Sequence, residues 1–134
     1  MNKIKNIKSI AKITAVLRKR GKKIVFTNGC FDILHYGHLK YLKKCKNLGD
    51  VLIVGLNSDS SVKKLKGAGR PLTKQAERAA VLSALEFVDY VVIFGESTPA
   101  RLIESVAPDI LAKGGDWRPE SIVGGKYVKT RGGR

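Results

Sequence analysis

The sequence predicts an α/β protein built on a doubly wound parallel sheet, and three observations carry that expectation. Val51–Leu56 is an unbroken apolar run, as required of a strand covered on both faces. Runs of this kind at Ile24–Phe26, Val51–Leu56, Val88–Phe94 and Ile110–Ala112 alternate with segments of helical period. Between the first run and the helix after it lies Thr27-Asn28-Gly29-Cys30-Phe31-Asp32-Ile33-Leu34-His35-Tyr36-Gly37-His38, a strand-to-helix crossing. Crossings of this type sit at the carboxyl ends of parallel strands, where ligands bind. Right-handed connections then give a Rossmann-like sheet with helices on both faces. Counted along the chain, its strand order is 3-2-1-4, with room for a fifth strand beyond the fourth.

At 134 residues the chain (1–134) is one domain, long enough for a real core. Its formal net charge of +15 raises the local concentration of any polyanion: a nucleoside triphosphate, a sugar phosphate, nucleic acid or an acidic membrane. Charge alone does not choose among them. The two cysteines, Cys30 and Cys45, make neither a disulfide framework nor a metal-ligand spacing, and they fit a reducing cytoplasm. Isoleucines alternate with lysines from Met1 to Lys23, so no signal-peptide core opens the chain, and no later apolar run would span a bilayer.

In chain order, residues 4–20 read as a basic amphipathic helix with Ile7, Ile10, Ile13 and Leu17 on one stripe and Gly21 as its stop. The stripe is aliphatic and leads straight into the first strand, which favours packing on the sheet over lying on a membrane. Leu39, Leu42, Cys45 and Leu48 mark the helix after the crossing, and Gly49 ends it. Asn57-Ser58-Asp59 closes the second strand with side chains suited to capping the next helix or to meeting a ligand at the same edge. The basic segment Lys63–Pro71, with glycines at 67 and 69, is either a solvated face or a cover for a triphosphate. Thr73–Leu85 reads as a helix capped by Thr73, Thr98-Pro99 opens another, and Pro108 closes it before the fourth strand. Lys113-Gly114-Gly115-Asp116-Trp117 then emerges beside the first strand. Asp116 suits a ribose hydroxyl or a base contact, and Trp117 a ring or the edge of the core.

His35 and His38 stand three apart at a helix start, where free backbone N–H groups meet anions, and Gly37 between them lets a ligand approach the backbone. Alone, the pair would also fit a zinc half-site or an exposed surface pair. The chain holds only these two histidines, so none remains to complete a zinc site.

Gly29-Cys30-Phe31-Asp32 followed by His35-Tyr36-Gly37-His38 resembles the H-x-G-H signature of the cytidylyltransferase-like nucleotidyltransferases. Taken with Gly69-Arg70-Pro71-Leu72, Leu85-Glu86-Phe87-Val88-Asp89 and Lys113–Trp117, the wording is most similar to the D-glycero-D-manno-heptose 1-phosphate adenylyltransferases, from about Ser9 to the end. The resemblance implies transfer of AMP from ATP to the heptose 1-phosphate, giving ADP-heptose and pyrophosphate. It implies phosphate contacts for His35, His38, Lys63 and Lys66, and nucleotide or acceptor contacts for Asn28, Gly29, Cys30, Phe31, Asp32, Gly37, Asn57, Asp59, Arg78, Lys113, Gly114 and Asp116. Magnesium is expected with the triphosphate, held by phosphate oxygens and water rather than by a protein cage. Relatives are commonly homodimers, which the apolar sheet edge permits here. They also usually continue through a further strand to a Ser/Thr-rich turn, a segment expected to be missing from this chain.

The chemistry itself asks little of the protein. A sugar 1-phosphate is already an anionic nucleophile at neutral pH, so the barrier is electrostatic and no general base is needed. Asp32 suits a turn cap, a histidine orienter or an acceptor hydroxyl. Two other readings compete: the same chemistry on another acceptor, such as glycerol 3-phosphate with CTP or FMN with ATP, and a basic nucleic-acid-binding module. Aromatics are sparse among the basic residues of 1–23 and 63–70, which disfavours the last.

Overall fold

The computed structural model describes residues 2–113 and 122–134. In chain order the elements are β1 (Ile4–Lys5), α1 (Ile7–Lys19), β2 (Ile24–Gly29), α2 (Tyr36–Lys46), β3 (Val51–Asn57), α3 (Asp59–Lys66), α4 (Gln75–Ser83), β4 (Tyr90–Phe94), α5 (Ala100–Val106), β5 (Ile110–Leu111) and α6 (Gly125–Thr130). All strand pairings are parallel and the order is β1-β4-β3-β2-β5. The expected 3-2-1-4 arrangement is therefore present as β4-β3-β2-β5. The additional strand, however, lies outside β4 rather than beyond β5.

That strand corrects the reading of residues 4–20 as helix throughout. Asn6 has extended dihedrals and its side chain accepts from Ser9 N–H at 2.8 Å, so the helix cannot begin before Ile7. The two residues ahead of the cap pair with Val91 and Val92 of β4. From there α1 packs on the sheet, with Ile10 and Thr14 buried, and Arg18 donates to the Val106 carbonyl at 2.9 Å. The expected helix from Thr73 also starts later, at Gln75, because Thr73 is engaged elsewhere. Its N–H donates to Asp32 and its carbonyl accepts from Arg78. Asp59 supplies the cap instead, accepting from Gln75 N–H at 2.8 Å while Gln75 Oε1 accepts from Asp59 N–H at 2.8 Å.

Successive strand residues face opposite sides and fill two cores. Val25, Leu52, Val54 and Leu56 meet Leu42 and Cys45 of α2 and Ala79 and Leu82 of α4. Ile24, Phe26, Val51 and Ile53 meet Ile10 of α1 and Leu102, Ile103 and Val106 of α5. This double burial explains the unbroken apolar spelling of β3, all seven of whose residues are buried. Gly55 interrupts it because a Cβ there would lie 2.7 Å from Phe26 Cζ and 3.1 Å from Leu102 Cδ2. Gly55→Ala should destabilise by about 1–3 kcal/mol, the ordinary cost of overpacking, read from urea unfolding midpoints. A wild-type midpoint would show that the packing there is loose.

Candidate active site

β2 ends in a loop whose shape is set by contacts between neighbours. A Cβ on Gly29 would lie 2.9 Å from the Phe31 ring, so only glycine lets that ring fold back over the strand end. Phe31 takes the left-handed conformation at φ 45, a strained choice for a bulky side chain, and its ring is 8% exposed. It meets His38 edge-on, with centroids 5.4 Å apart. The strain thus presses an aromatic wall against a histidine.

The two histidines cap α2 reciprocally. Gly37 N–H donates to His35 Nδ1 at 3.0 Å, and His35 N–H donates to His38 Nδ1 at 3.3 Å. The rings lie 4.0 Å apart, tilted by 34°. Both Nδ1 atoms are acceptors, so each neutral ring carries its proton on Nε2 and has that N–H free for another partner. Burial, then the charges of His35 and Lys66, hold His38 below its ordinary value of 6.5. Near neutral pH it is an uncharged donor. Gly37 is required by the same packing, since a Cβ would lie 2.8 Å from His35 Cε1.

Asp32 takes a role outside the three expected for it. Its carboxylate, 5% exposed, accepts from Leu72 N–H at 2.9 and 3.0 Å and from Thr73 N–H at 2.9 Å, with Arg70 Nε 2.7 Å from Oδ2. It ties the loop after α3 down onto the motif loop. Burial works to raise its pKa, but the Leu72 and Thr73 N–H groups and the Arg70 charge outweigh it and hold the carboxyl below its ordinary value.

Asn28, Gly29, Cys30, Phe31, Asp32, His35, Gly37, His38, Lys66 and Lys113 come together around one cleft of about 860 Å³. Ile33, Tyr41 and Arg70 line it too; Arg70 was expected only as part of the basic Lys63–Pro71 cover, and the other two were given no role. Arg70 was visible as a cation in a glycine-bearing run; Tyr41 offered no signal beyond helical spacing. The Tyr41 hydroxyl bonds Thr27 Oγ1 at 2.8 Å, and burial pushes the phenol well above its ordinary value, so it stays protonated. Lys113 is half-buried, and burial lowers its pKa against the opposing influence of Cys30.

Four expected contacts lie elsewhere. Lys63 is exposed on α3, one turn before Lys66 and outside the cleft lining. Asn57 is buried, donating to Ser61 Oγ at 2.7 Å, while Ser58 caps α3. Asp59 caps α4 and pairs with Arg78 at 2.9 Å. Arg78, expected to contact the nucleotide or the acceptor, is 2% exposed. Its guanidinium donates to the carbonyls of Cys30 at 2.6 Å, Asn57 at 2.8 Å and Thr73 at 2.8 Å. It is committed to the backbone behind the cleft, because three carbonyls turned inward there need a donor fork. Gly114 and Asp116, with Trp117, lie outside the described residues. Among the described residues no group of three or more His, Cys, Asp or Glu side chains forms a metal cage.

A family model described as cytidylyltransferase-like matches residues 26–123. A bifunctional protein HldE of Geobacter metallireducens is 60% identical over 132 residues, covering 98% of this chain and 27% of that protein. A protein of the same name from Nitratiruptor sp. is 61% identical over 126 residues, covering 94% and 27%. The chain thus spans about a quarter of the length of these relatives. Among solved structures, a lipopolysaccharide core biosynthesis protein of Thermoplasma volcanium matches with a TM-score of 0.71 and 31% identity over 84% of this chain and 91% of that one. A pantoate-beta-alanine ligase of Francisella tularensis, at 23% identity and a TM-score of 0.52 over 93% of this chain and 46% of that one, shares the fold.

Two outcomes follow from this geometry. His38 should titrate below 6.5 in imidazole NMR and show the Nε2–H tautomer at neutral pH. A lowered folded value means that the unfolded chain takes the proton more readily. The ring's contribution to stability is therefore complete above 6.5 and is lost as pH falls through the folded value. A ring titrating at or above 6.5 would contradict the cap. Arg78→Met should cost about 2–4 kcal/mol in chemical denaturation, since it strands buried carbonyls, whereas an exposed ion pair would cost under about 1 kcal/mol.

Proposed function

The chain belongs to the cytidylyltransferase-like family of nucleotidyltransferases, and from that premise we propose that it transfers AMP from ATP to a sugar 1-phosphate. The observation that carries this reading is the pair of histidines locked by their own cap in the donor tautomer, at a helix start, in a cleft that also gathers Lys66, Arg70 and Lys113. An oxygen of the acceptor phosphate attacks the α-phosphorus, the new P–O bond forms, and the bond to the β-phosphate bridging oxygen breaks to release pyrophosphate. No proton needs to be abstracted, because the acceptor oxygen is already anionic. The two Nε2–H groups supply donors to the α-phosphoryl and the bridging oxygen, where charge accumulates. The cations balance the remaining phosphates. Magnesium belongs to this scheme as part of the substrate, riding on phosphate oxygens and water.

D-glycero-D-manno-heptose 1-phosphate is the acceptor that this reading puts first. The motif wording supports it, and so does the likeness to a protein described as acting in lipopolysaccharide core biosynthesis. No helix among the described residues is long and apolar enough to cross a membrane. Pyrophosphate release measured for ATP and CTP against a panel of sugar and polyol phosphates should single out ATP with the heptose 1-phosphate. Release only with CTP and glycerol 3-phosphate would overturn the assignment while keeping the chemistry. Salt-dependent oligonucleotide binding without any pyrophosphate release would overturn both. His38→Ala should lower turnover about a hundredfold with the circular dichroism spectrum unchanged, as for a lost transition-state donor; near-full rate would remove its role.

A further inference from the structure

Asp32 is the only carboxylate lining the cleft among the described residues, and its ion-pair partner, Arg70, enters the scheme above only as one of three cations, with no assigned phosphate or time of contact. The pair is unequally held. Arg70 Nε lies 2.7 Å from Asp32 Oδ2, but its N–H is not aligned on any acceptor, and the side chain is 37% exposed. The terminal nitrogens of Arg70 make no hydrogen bond among the described residues. Asp32 leans first on backbone N–H groups and only then on this charge. Oδ1 accepts from the Leu72 and Thr73 N–H groups at 2.9 Å and Oδ2 from Leu72 N–H at 3.0 Å, bonds that do not involve the arginine. Removing a charged partner is costly when it leaves the other group bare, and here it does not.

The backbone allows the departure. Gly67 ends α3 at φ +100, Gly69 follows, and a Cβ at either would meet nothing within 4 Å. The stretch 67–69 is exposed, while Leu72 and Thr73 stay tethered to Asp32. Arg70 can therefore swing between a fixed loop root and the cleft it already lines.

The geometry points to Arg70 as a phosphate-binding residue of this site: when a triphosphate enters, its guanidinium leaves Asp32 and grips the β- and γ-phosphate oxygens. The inference rests on the nucleotidyl-transfer reading. A planar guanidinium fork takes two phosphate oxygens at once, which the point charge of Lys66 cannot do. It also stays with the pyrophosphate as that group departs, so charge arriving on the β-phosphate finds a donor in place. Before the nucleotide arrives, the same side chain neutralises the Asp32 carboxylate, which would repel it.

Calorimetric titration of the full chain with inorganic tripolyphosphate at fixed ionic strength tests this without any acceptor. Arg70→Ala should weaken binding about tenfold or more, and Arg70→Lys should restore only part of it. KM for ATP should rise in step while the acceptor KM holds. The melting temperature should stay near wild type, because Asp32 keeps its backbone donors. Unchanged tripolyphosphate affinity in Arg70→Ala, with a lowered melting temperature, would make the arginine a structural prop and overturn the proposal. Loss of affinity in His38→Ala but not in Arg70→Ala would remove the arginine alone and leave the transfer reading standing. A wild-type chain that binds no tripolyphosphate would overturn both.

Discussion

The site depends on one buried guanidinium. Arg78 receives the carbonyls of Cys30, Asn57 and Thr73, which belong to the loop after β2, the end of β3 and the loop before α4. Each hydrogen bond from a charged donor to a buried carbonyl contributes about 1.5–3 kcal/mol. The Asp59 partner is 39% exposed, so the ion pair itself adds little beside these bonds. The arginine is thus best understood as a backbone clamp that happens to carry a counter-ion. Three segments far apart in sequence are gathered at the carboxyl edge of the sheet, and one of them, at Cys30, lines the cleft.

Within that frame charge is divided by range. The formal +15 acts at a distance, concentrating polyanions near the surface, and is weakened by salt. Inside, the imidazole of His38 at the helix start is not a cation near neutral pH. His38 is kept neutral by burial and by its positive neighbours, and the reciprocal cap fixes which nitrogen keeps its proton. A neutral, oriented donor can follow charge as it develops without holding a ground-state polyanion too tightly.

Much of this was legible in the sequence because it is written in local signals. The apolar strand runs gave the sheet and its central order, and the histidine spacing gave the helix start. What escaped depends on contacts distant in sequence. Ile4 and Lys5 are too few to show a strand period, and only pairing with Val91 and Val92 makes them one. Arg78 looks like a surface residue of a helix until Cys30, lying 48 residues earlier, is seen to accept from it. Asp32 could be placed beside the site, yet nothing local says that its acceptors face Leu72 and Thr73. Of the caps expected from Asn57-Ser58-Asp59, Ser58 supplies the one for the next helix, Asp59 caps α4 instead, and Asn57 caps neither but donates to Ser61.

The same distinction says which residues should govern specificity. Groups bound to backbone, such as Arg78, Asp59 and Asp32, fix where phosphates can lie but cannot tell one acceptor from another, since every route to this site begins with the same anion. Discrimination between bases and between sugars must come from groups that meet ring and hydroxyl edges, where an unpaired buried polar atom is expensive. In this fold β3 and β5 flank the motif strand β2, and the described residues that follow them bring Lys66, Arg70 and Lys113 to the cleft. The phosphate machinery is central and pinned from behind, and the chemistry it performs can remain constant while the flanking loops change what it is performed on.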